Sequence, residues 1–323
     1  MSDRIAGKKC FITGGAGFIG SHLAETLLKR GCTVTVYDNL ATGKKNWLKK
    51  CMTDPKFKFI EADLLQLDNL ESSIEDQDVV WHFGANTNMV IGRRNPEIDL
   101  TNGVIATYNV LNAMRKAKIT ELLFPSSGAI YGDILRPPAS EDYGPLMPVS
   151  TYGAAKLSAE GWITCFSNLY AIRAWIFRFG NVLGERMGHG IIFDLLAKLR
   201  MNSEELEVLG DGTGEKNCFL VGECIDGMLY AHNHSDHRGC EIFNLGAEST
   251  TRVSDIVRIV LEESGHRETR IRYTGGERGW LGDQPRVYMS VEKMKKLGWS
   301  ARHSSDEAVR IATRRYLAKE NAS

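Results

Sequence analysis

The stretch that decides the fold is ITGGAGFIGSHLAETLLKRG, residues 12–31. A short apolar run ends at Thr13. Gly15-x-Gly17-x-x-Gly20 then leads into a segment whose apolar residues recur at helical spacing. Glycines in this order permit a tight turn, close approach of backbone to a pyrophosphate, and tight packing of helix on strand. The phosphates would meet free N–H groups and the positive end of the helix dipole. The next apolar run, CTVTVYD, ends in Asp38, 18 residues after Gly20, where a carboxylate can bind both hydroxyls of a ribose. That carboxylate would repel a 2′-phosphate, which favours NAD over NADP. Lys44 and Lys45 close behind weaken the preference without overturning it.

Outward from this loop, FKFIEAD (57–63), DVVWHFGA (78–85), ELLFPSS (121–127) and RAWIFRFGN (173–181) read as further short strands. Helical patterns near 19–30, 102–117 and 150–170 separate them. Strands alternating with helices predict an α/β fold, a doubly wound parallel sheet of the Rossmann type covered on both faces. Residues 1–180 form the expected NAD-binding domain. Residues 181–323 form a smaller C-terminal α/β substrate lobe, with 217–246 returning to the first domain. In the later region 191–200, 253–265 and 291–297 read as helices, 206–215 as a strand with a turn, and EIFNLG (241–246) as another strand of the main sheet.

The 323 residues are 43% hydrophobic and 25% charged with a formal net charge of zero, enough for a sizeable core and without a footprint for nucleic acid or anionic membrane. No apolar run approaches the ~18 residues of a membrane span, and the charged N-terminal stretch fits no signal peptide. Seven scattered cysteines without a C-x-x-C pair read as reduced thiols of a cytoplasmic protein. HNHSDHRGC (232–240) offers His232, His234, His237 and Cys240. It lacks a second cluster, so a solvated loop is expected there and no metal.

Tyr152 and Lys156, in TYGAAK, are four apart and so share one face of a helix. A tyrosine ordinarily titrates near about 10 and a lysine near about 10.4. An ammonium group and a positive nicotinamide ring both favour phenolate, which is expected to bring Tyr152 toward neutrality as a base for an alcohol proton.

With these features in place, the chain resembles the extended short-chain dehydrogenase/reductases of the nucleotide-sugar epimerase/dehydratase family. The resemblance rests on TGGAGFIG, Asp38, HFGAN, SSGAIYG, YGAAK, RFGNVLGER, GDGTGEK and ERGWLGDQPR. It implies a catalytic set of Ser127, Tyr152 and Lys156, with Ser127 bonding the sugar oxygen and relaying the proton. It places NAD against Gly14, Gly17, Phe18, Ile19 and Gly20, against Asp38, Asn39, Asp63 and Leu64, and against Gly84, Ala85, Asn102, Tyr152 and Lys156. Asp63 could instead cap a helix, and so could Asn102. Similar dehydratases carry an Asp-Glu pair after the serine or threonine, and related decarboxylases keep the glutamate; this chain has Gly128 and Ala129.

On the substrate side the resemblance implies contacts from Ser127, Asn181, Lys216, Arg278 and Asp283. Lys216 stands where an arginine is usual, and Asn217 to Leu220 depart from the usual Asp-aromatic-x-His pattern. The small Val287 falls near a position that limits bulk at the sugar's C2. The implied activity is NAD-dependent 4-epimerisation of a UDP-hexose, as in the UDP-glucose (UDP-galactose) 4-epimerases, with the N-acetyl sugars admitted. UDP-glucuronate 4-epimerisation, nucleotide-sugar dehydration and a silent NAD-binding regulatory role are the alternatives. Relatives pair through helices like the one bearing Tyr152, so a homodimer is expected.

Overall fold

The computed structural model describes residues 3–320, and most of its elements follow the apolar runs of the sequence. First come β1 (Lys9–Thr13), α1 (Phe18–Lys29), β2 (Thr33–Asp38), β3 (Phe57–Glu61), α2 (Leu67–Ile74), β4 (Val79–His82), α3 (Met89–Arg94) and α4 (Glu97–Asp99). A π-helical turn, Leu100–Ile105, leads into α5 (Ala106–Ala117), β5 (Glu121–Ser127), α6 (Thr151–Tyr170) and β6 (Arg173–Phe179). Next are β7 (Asn181–Leu183), α7 (Ile191–Met201), β8 (Glu205–Val208), β9 (Glu215–Lys216), β10 (Cys218–Leu220), α8 (Val221–His234) and β11 (Cys240–Leu245). Then follow β12 (Thr251–Arg252), α9 (Val253–Ser264), β13 (Arg270–Tyr273), α10 (Glu292–Leu297) and α11 (Ser305–Glu320).

The main sheet has seven strands in the order β11-β6-β5-β4-β1-β2-β3. Cys10 lies beside Val34 on one side and Val79 on the other, both in parallel register. The chain moves outward from β1 to β3 and then resumes at β4 on the opposite side of β1. That reversal opens a crevice at the carboxyl ends of β1 and β4, the place where a doubly wound sheet binds ligands. β5 also ends at that edge. It pairs with β4 at Val80↔Leu122 and Trp81↔Leu123, so Pro125, which has no N–H to donate, lies beyond that ladder.

The residues fall into two compact units. One gathers the chain up to Ser127 with Thr151–Arg178 and Ile225–Phe243; the other gathers Gly128–Ser150, Phe179–Cys224 and the chain from Asn244 onward. The first is held by Phe11, Tyr37, Val80, Leu122 and Ile176 of the sheet, packed with Val110, Met114, Ala159 and Ile163 of α5 and α6. Burying each large apolar side chain contributes about 1.5–3 kcal/mol. The second has its own core, in which Val253, Ile256, Val257 and Val260 form one stripe of α9 against Leu195, Leu199, Leu206 and Val309. α9 stops at Gly265, whose φ of +76° lets the His266 N–H return to the Leu261 carbonyl at 2.9 Å.

Two expectations change. The helical reading that began at 102 becomes a π turn before α5, so Asn102 lies inside that turn and caps no helix. The tract at 232–240 is not a solvated loop throughout: α8 runs to His234, and His232 is fully buried. Ile225, Met228, Leu229 and His232 share one buried helical stripe, and the polar letters around His232 hid it. His232 Nε2 meets Glu121 Oε2, His234 Nδ1 the Tyr230 carbonyl, and His237 Nε2 the Ala174 carbonyl. Among the described residues no three metal-ligating side chains gather, and no helix is long and apolar enough to cross a membrane.

Candidate active site

The turn after β1 is made by Gly14, with φ at +65°, and not by Gly15. The Gly14 N–H donates to the Tyr37 carbonyl at 2.9 Å, which ties the turn to β2. A Cβ on Gly14 would lie 2.6 Å from the Gly84 nitrogen, and one on Gly20 would lie 2.5 Å from the Gly14 carbonyl oxygen. Gly15 is small for a different reason, since both Val36 methyls would stand 2.7 Å from its Cβ. α1 then begins at Phe18 with neither a side-chain cap nor an acid in its first turn. Its leading N–H groups and dipole remain directed at whatever lies over the glycines.

Asp38, at the end of β2, is held beside this turn. Its carboxylate accepts the Ala16 N–H at 2.9 Å and the Leu40 N–H at 2.8 Å, and burial raises its pKa. Asn39 Nδ2 donates to Asp63 Oδ2 at 2.8 Å, and the Tyr37 hydroxyl donates to the Asp63 carbonyl at 3.0 Å. Asp63 also accepts the Leu65 N–H, a local turn; α2 starts later, after Gln66, so Asp63 is not its cap. Leu64 faces Gly84, where a Cβ would come within 2.6 Å of the leucine methyl. Gly14, Gly20, Asp38, Asn39, Asp63, Leu64 and Gly84 are thereby drawn together. A cradle closed to side chains, an anion-favouring helix end and a buried carboxylate beyond it fit an NAD pyrophosphate and ribose.

At the ends of β5 and α6 lie Ser127, Tyr152 and Lys156. The Tyr152 and Ser127 side chains are hydrogen-bonded. Lys156 is buried; its Nζ donates to the Pro125 carbonyl at 2.7 Å and sits 5.9 Å from the Tyr152 ring centroid. Burial pushes Tyr152 up to about 12; the Ser127 hydrogen bond acts against this and the Asp99 carboxylate adds to it. Burial also pushes Lys156 down to about 8, opposed by the Glu160 carboxylate. In the protein alone Tyr152 thus stands above its ordinary value; the expected shift toward neutrality counts on the positive charge of the nicotinamide as well. Desolvation outweighs the Ser127 hydrogen bond here, and a positive charge beside the ring would act against it. His82 is buried between Thr13 and Thr107 and pushed down to about 3 by burial, hence neutral.

Asp99 was missed by sequence reasoning. It is buried, accepting Thr151 Oγ1 at 2.6 Å and Asn86 Nδ2 at 2.8 Å, and Thr151 directly precedes Tyr152. A Cβ on Gly92 would lie 2.0 Å from an Asp99 oxygen, so that glycine is the space the carboxylate occupies. The π turn carrying Asn102 presses on α6: a Cβ on Gly103 would be 2.8 Å from the Ala155 Cβ, next to Lys156.

In the second unit, Lys216 Nζ donates to Asp283 Oδ1 at 2.9 Å and to the Gln284 carbonyl at 2.6 Å. Arg278 donates to the Asp283 carbonyl at 2.7 Å and to Asp133 Oδ2 at 2.6 Å. Lys216, Arg278 and Asp283 thus form one charged cluster, joined by Asp133, which sequence reasoning did not single out. Asn181 opens β7, its N–H donating to the Asn217 carbonyl at 2.6 Å. A side chain at Gly128 would have to displace Met289: its Cβ would be 2.8 Å from Met289 Sδ and 3.3 Å from both the Phe179 carbonyl oxygen and a Val287 methyl.

Comparison with known proteins gives consistent matches. The family described as "NAD dependent epimerase/dehydratase family" matches residues 10–246. The chain is 30% identical over 338 residues to "UDP-glucose 4-epimerase 3" of Oryza sativa subsp. japonica, covering 94% of this chain and 88% of that protein. A crystal structure of a UDP-galactose 4-epimerase superposes with a TM-score of 0.86 at 33% identity, covering 97% of this chain and 99% of the other. The Thermus thermophilus UDP-glucose 4-epimerase in complex with NAD gives 0.83 at 26% identity, covering 96% and 99%.

Proposed function

Because the chain belongs to the NAD dependent epimerase/dehydratase family and its cofactor is NAD, we propose that it interconverts UDP-hexoses epimeric at C4, UDP-glucose and UDP-galactose first among them. The observation that carries this reading is the Ser127–Tyr152–Lys156 set followed by Gly128 and Ala129, a site equipped to oxidise an alcohol and without an acid to eliminate from the ketone. When bound, NAD supplies the two-electron acceptor that takes and gives back the C4 hydrogen. Tyr152 accepts the proton of the 4-hydroxyl at its phenolic oxygen. Ser127 bonds the same sugar oxygen and holds the tyrosine in line. Lys156, fixed on the Pro125 carbonyl, supplies positive charge beside Tyr152 and a donor for the nicotinamide ribose. Return of hydrogen to the opposite face, with the proton restored through Tyr152, completes the inversion, and no cofactor is consumed.

We assign the nucleotide diphosphate to Arg278, Lys216 and Asn181, with Asp283 at the ribose. Val287 leaves space for a C2 acetamido group. The absence of an acid at Gly128 and Ala129 counts against dehydration, and an acid introduced at Gly128 would first have to displace Met289. We further read the protein as a cytoplasmic homodimer. An aromatic strip of Tyr108, Trp162, Phe166 and Tyr170 runs along α5 and α6, with all but Phe166 exposed. Such a face suits helix-on-helix pairing of two copies.

The test is incubation of the protein, without added NAD, with UDP-glucose, UDP-N-acetylglucosamine and UDP-glucuronate separately, followed by proton NMR. The C4 epimer of one of the first two supports the proposal. Turnover of UDP-glucuronate alone, or a deoxy-keto product, refutes it.

A further inference from the structure

β5 ends in Pro125, Ser126 and Ser127, and the two residues before the proposed catalytic serine are both tied to α6. Lys156 Nζ holds the Pro125 carbonyl at 2.7 Å. One helical turn further on, Glu160 Oε1 accepts the Ser126 hydroxyl at 2.5 Å. The same carboxylate takes Arg178 from β6, with Nη2 2.8 Å from Oε2 and Nε 3.2 Å from Oε1. Ser126, Glu160 and Arg178 are all at least 96% buried, and the proposed chemistry uses none of them. An ion pair in a core is seldom more stabilising than apolar side chains of similar volume, because both charges lose their hydration. Stability alone therefore gives no reason for this pair. Its position does: Lys156, Glu160 and Tyr152 occupy one face of α6 at successive turns, facing the end of β5.

We propose that Glu160, clamped by Arg178 and Ser126, is a positioning residue that sets Ser127 opposite Tyr152 and supplies the counter-charge for Lys156. The clamp works through two bonds one turn apart. Pro125 and Ser126 cannot slide along α6 without breaking both, so the Ser127 hydroxyl keeps its place on the Tyr152 phenol. The titratable groups around Lys156 are Tyr152 and Glu160 on α6, the neutral His82 from β4, Arg178 of β6 behind Glu160, and Asp99, which acts on Tyr152. Glu160 is the carboxylate among them that keeps Lys156 protonated against its burial.

The inference rests on the epimerase reading, and its test separates the two. Ser126→Ala removes the clamp hydroxyl, and Glu160→Gln removes the charge. Glu160→Leu/Arg178→Met leaves no unpaired charge in the core should Glu160→Gln fail to fold. With NAD binding retained, each variant is expected to lose about tenfold or more in kcat while KM for the UDP-sugar stays within about twofold. Lysine Cε NMR, assigned with Lys156→Met, follows the Lys156 midpoint without any substrate. It should fall by about one pH unit in Glu160→Gln. Folded variants with wild-type kcat and an unmoved Lys156 midpoint overturn the clamp. A wild type that converts no UDP-sugar, with the midpoint still falling in Glu160→Gln, overturns the epimerase reading and leaves the clamp standing.

Discussion

Gly7 and Gly14 make a matched pair for testing the cofactor turn. Both lie at positive φ, +75° and +65°, but a Cβ on Gly7 meets nothing within 4 Å, whereas one on Gly14 meets the Gly84 nitrogen at 2.6 Å and the Phe83 carbonyl carbon at 2.7 Å. Alanine in the left-handed region costs about 1–2 kcal/mol at either position. At Gly14 the added contact is with backbone on β4's exit, which cannot rotate away. Separating the ends of β1 and β4 adds about 1–3 kcal/mol, the usual range for overpacking. Gly14→Ala is thus expected to be less stable than Gly7→Ala by about 1–3 kcal/mol in urea unfolding, and to lose NAD affinity that Gly7→Ala retains. If the two variants unfold at the same urea concentration and bind NAD equally, the assigned role of Gly14 is wrong.

Further expectations concern the two halves of the chemistry. Asp99→Asn removes a negative charge that raises the Tyr152 pKa. The limb of the pH–kcat profile governed by tyrosine deprotonation should therefore move to lower pH, by about half a unit to one unit; an unmoved or raised limb refutes the coupling. Arg278→Ala should raise KM for the UDP-sugar about tenfold or more with little change in kcat, as expected for uniform binding of a diphosphate. Its effect on the urea midpoint should be small, because both side chains of the Asp133 pair are more than a third exposed to solvent. Gly128→Asp should lower the thermal midpoint, and Met289→Ala in the same chain should recover part of the loss, because Met289 Sδ is the nearest obstacle.

Much of the frame was legible because it is local. Periodicity marked β1, α1, β2 and α6, and a four-residue interval put Tyr152 and Lys156 on one helical face. The glycine turn was legible as a type, but the assignment of its positive φ to Gly14 depends on where β2 and β4 approach. Asp99 escaped notice since its meaning comes from Thr151, 52 positions later. The joining of Lys216 to Asp283 spans 67 positions, and no local pattern announces it. Glu160 did leave a trace, four residues after Lys156 on the same face, but only the return of Ser126 and Arg178 to it shows that the position is buried. α11 was missed because its charged residues mask a narrow stripe of Ala308, Val309 and Ala312.

The most direct test of the central claim is the fate of the C4 hydrogen. UDP-glucose deuterated at C4 is incubated with the protein in ordinary water, without added NAD, and the product is read by NMR and mass spectrometry. The account predicts UDP-galactose that retains the deuterium at C4, and a rate lowered by about a thousandfold in Tyr152→Phe. Loss of the label to solvent, or full activity in Tyr152→Phe, would contradict it.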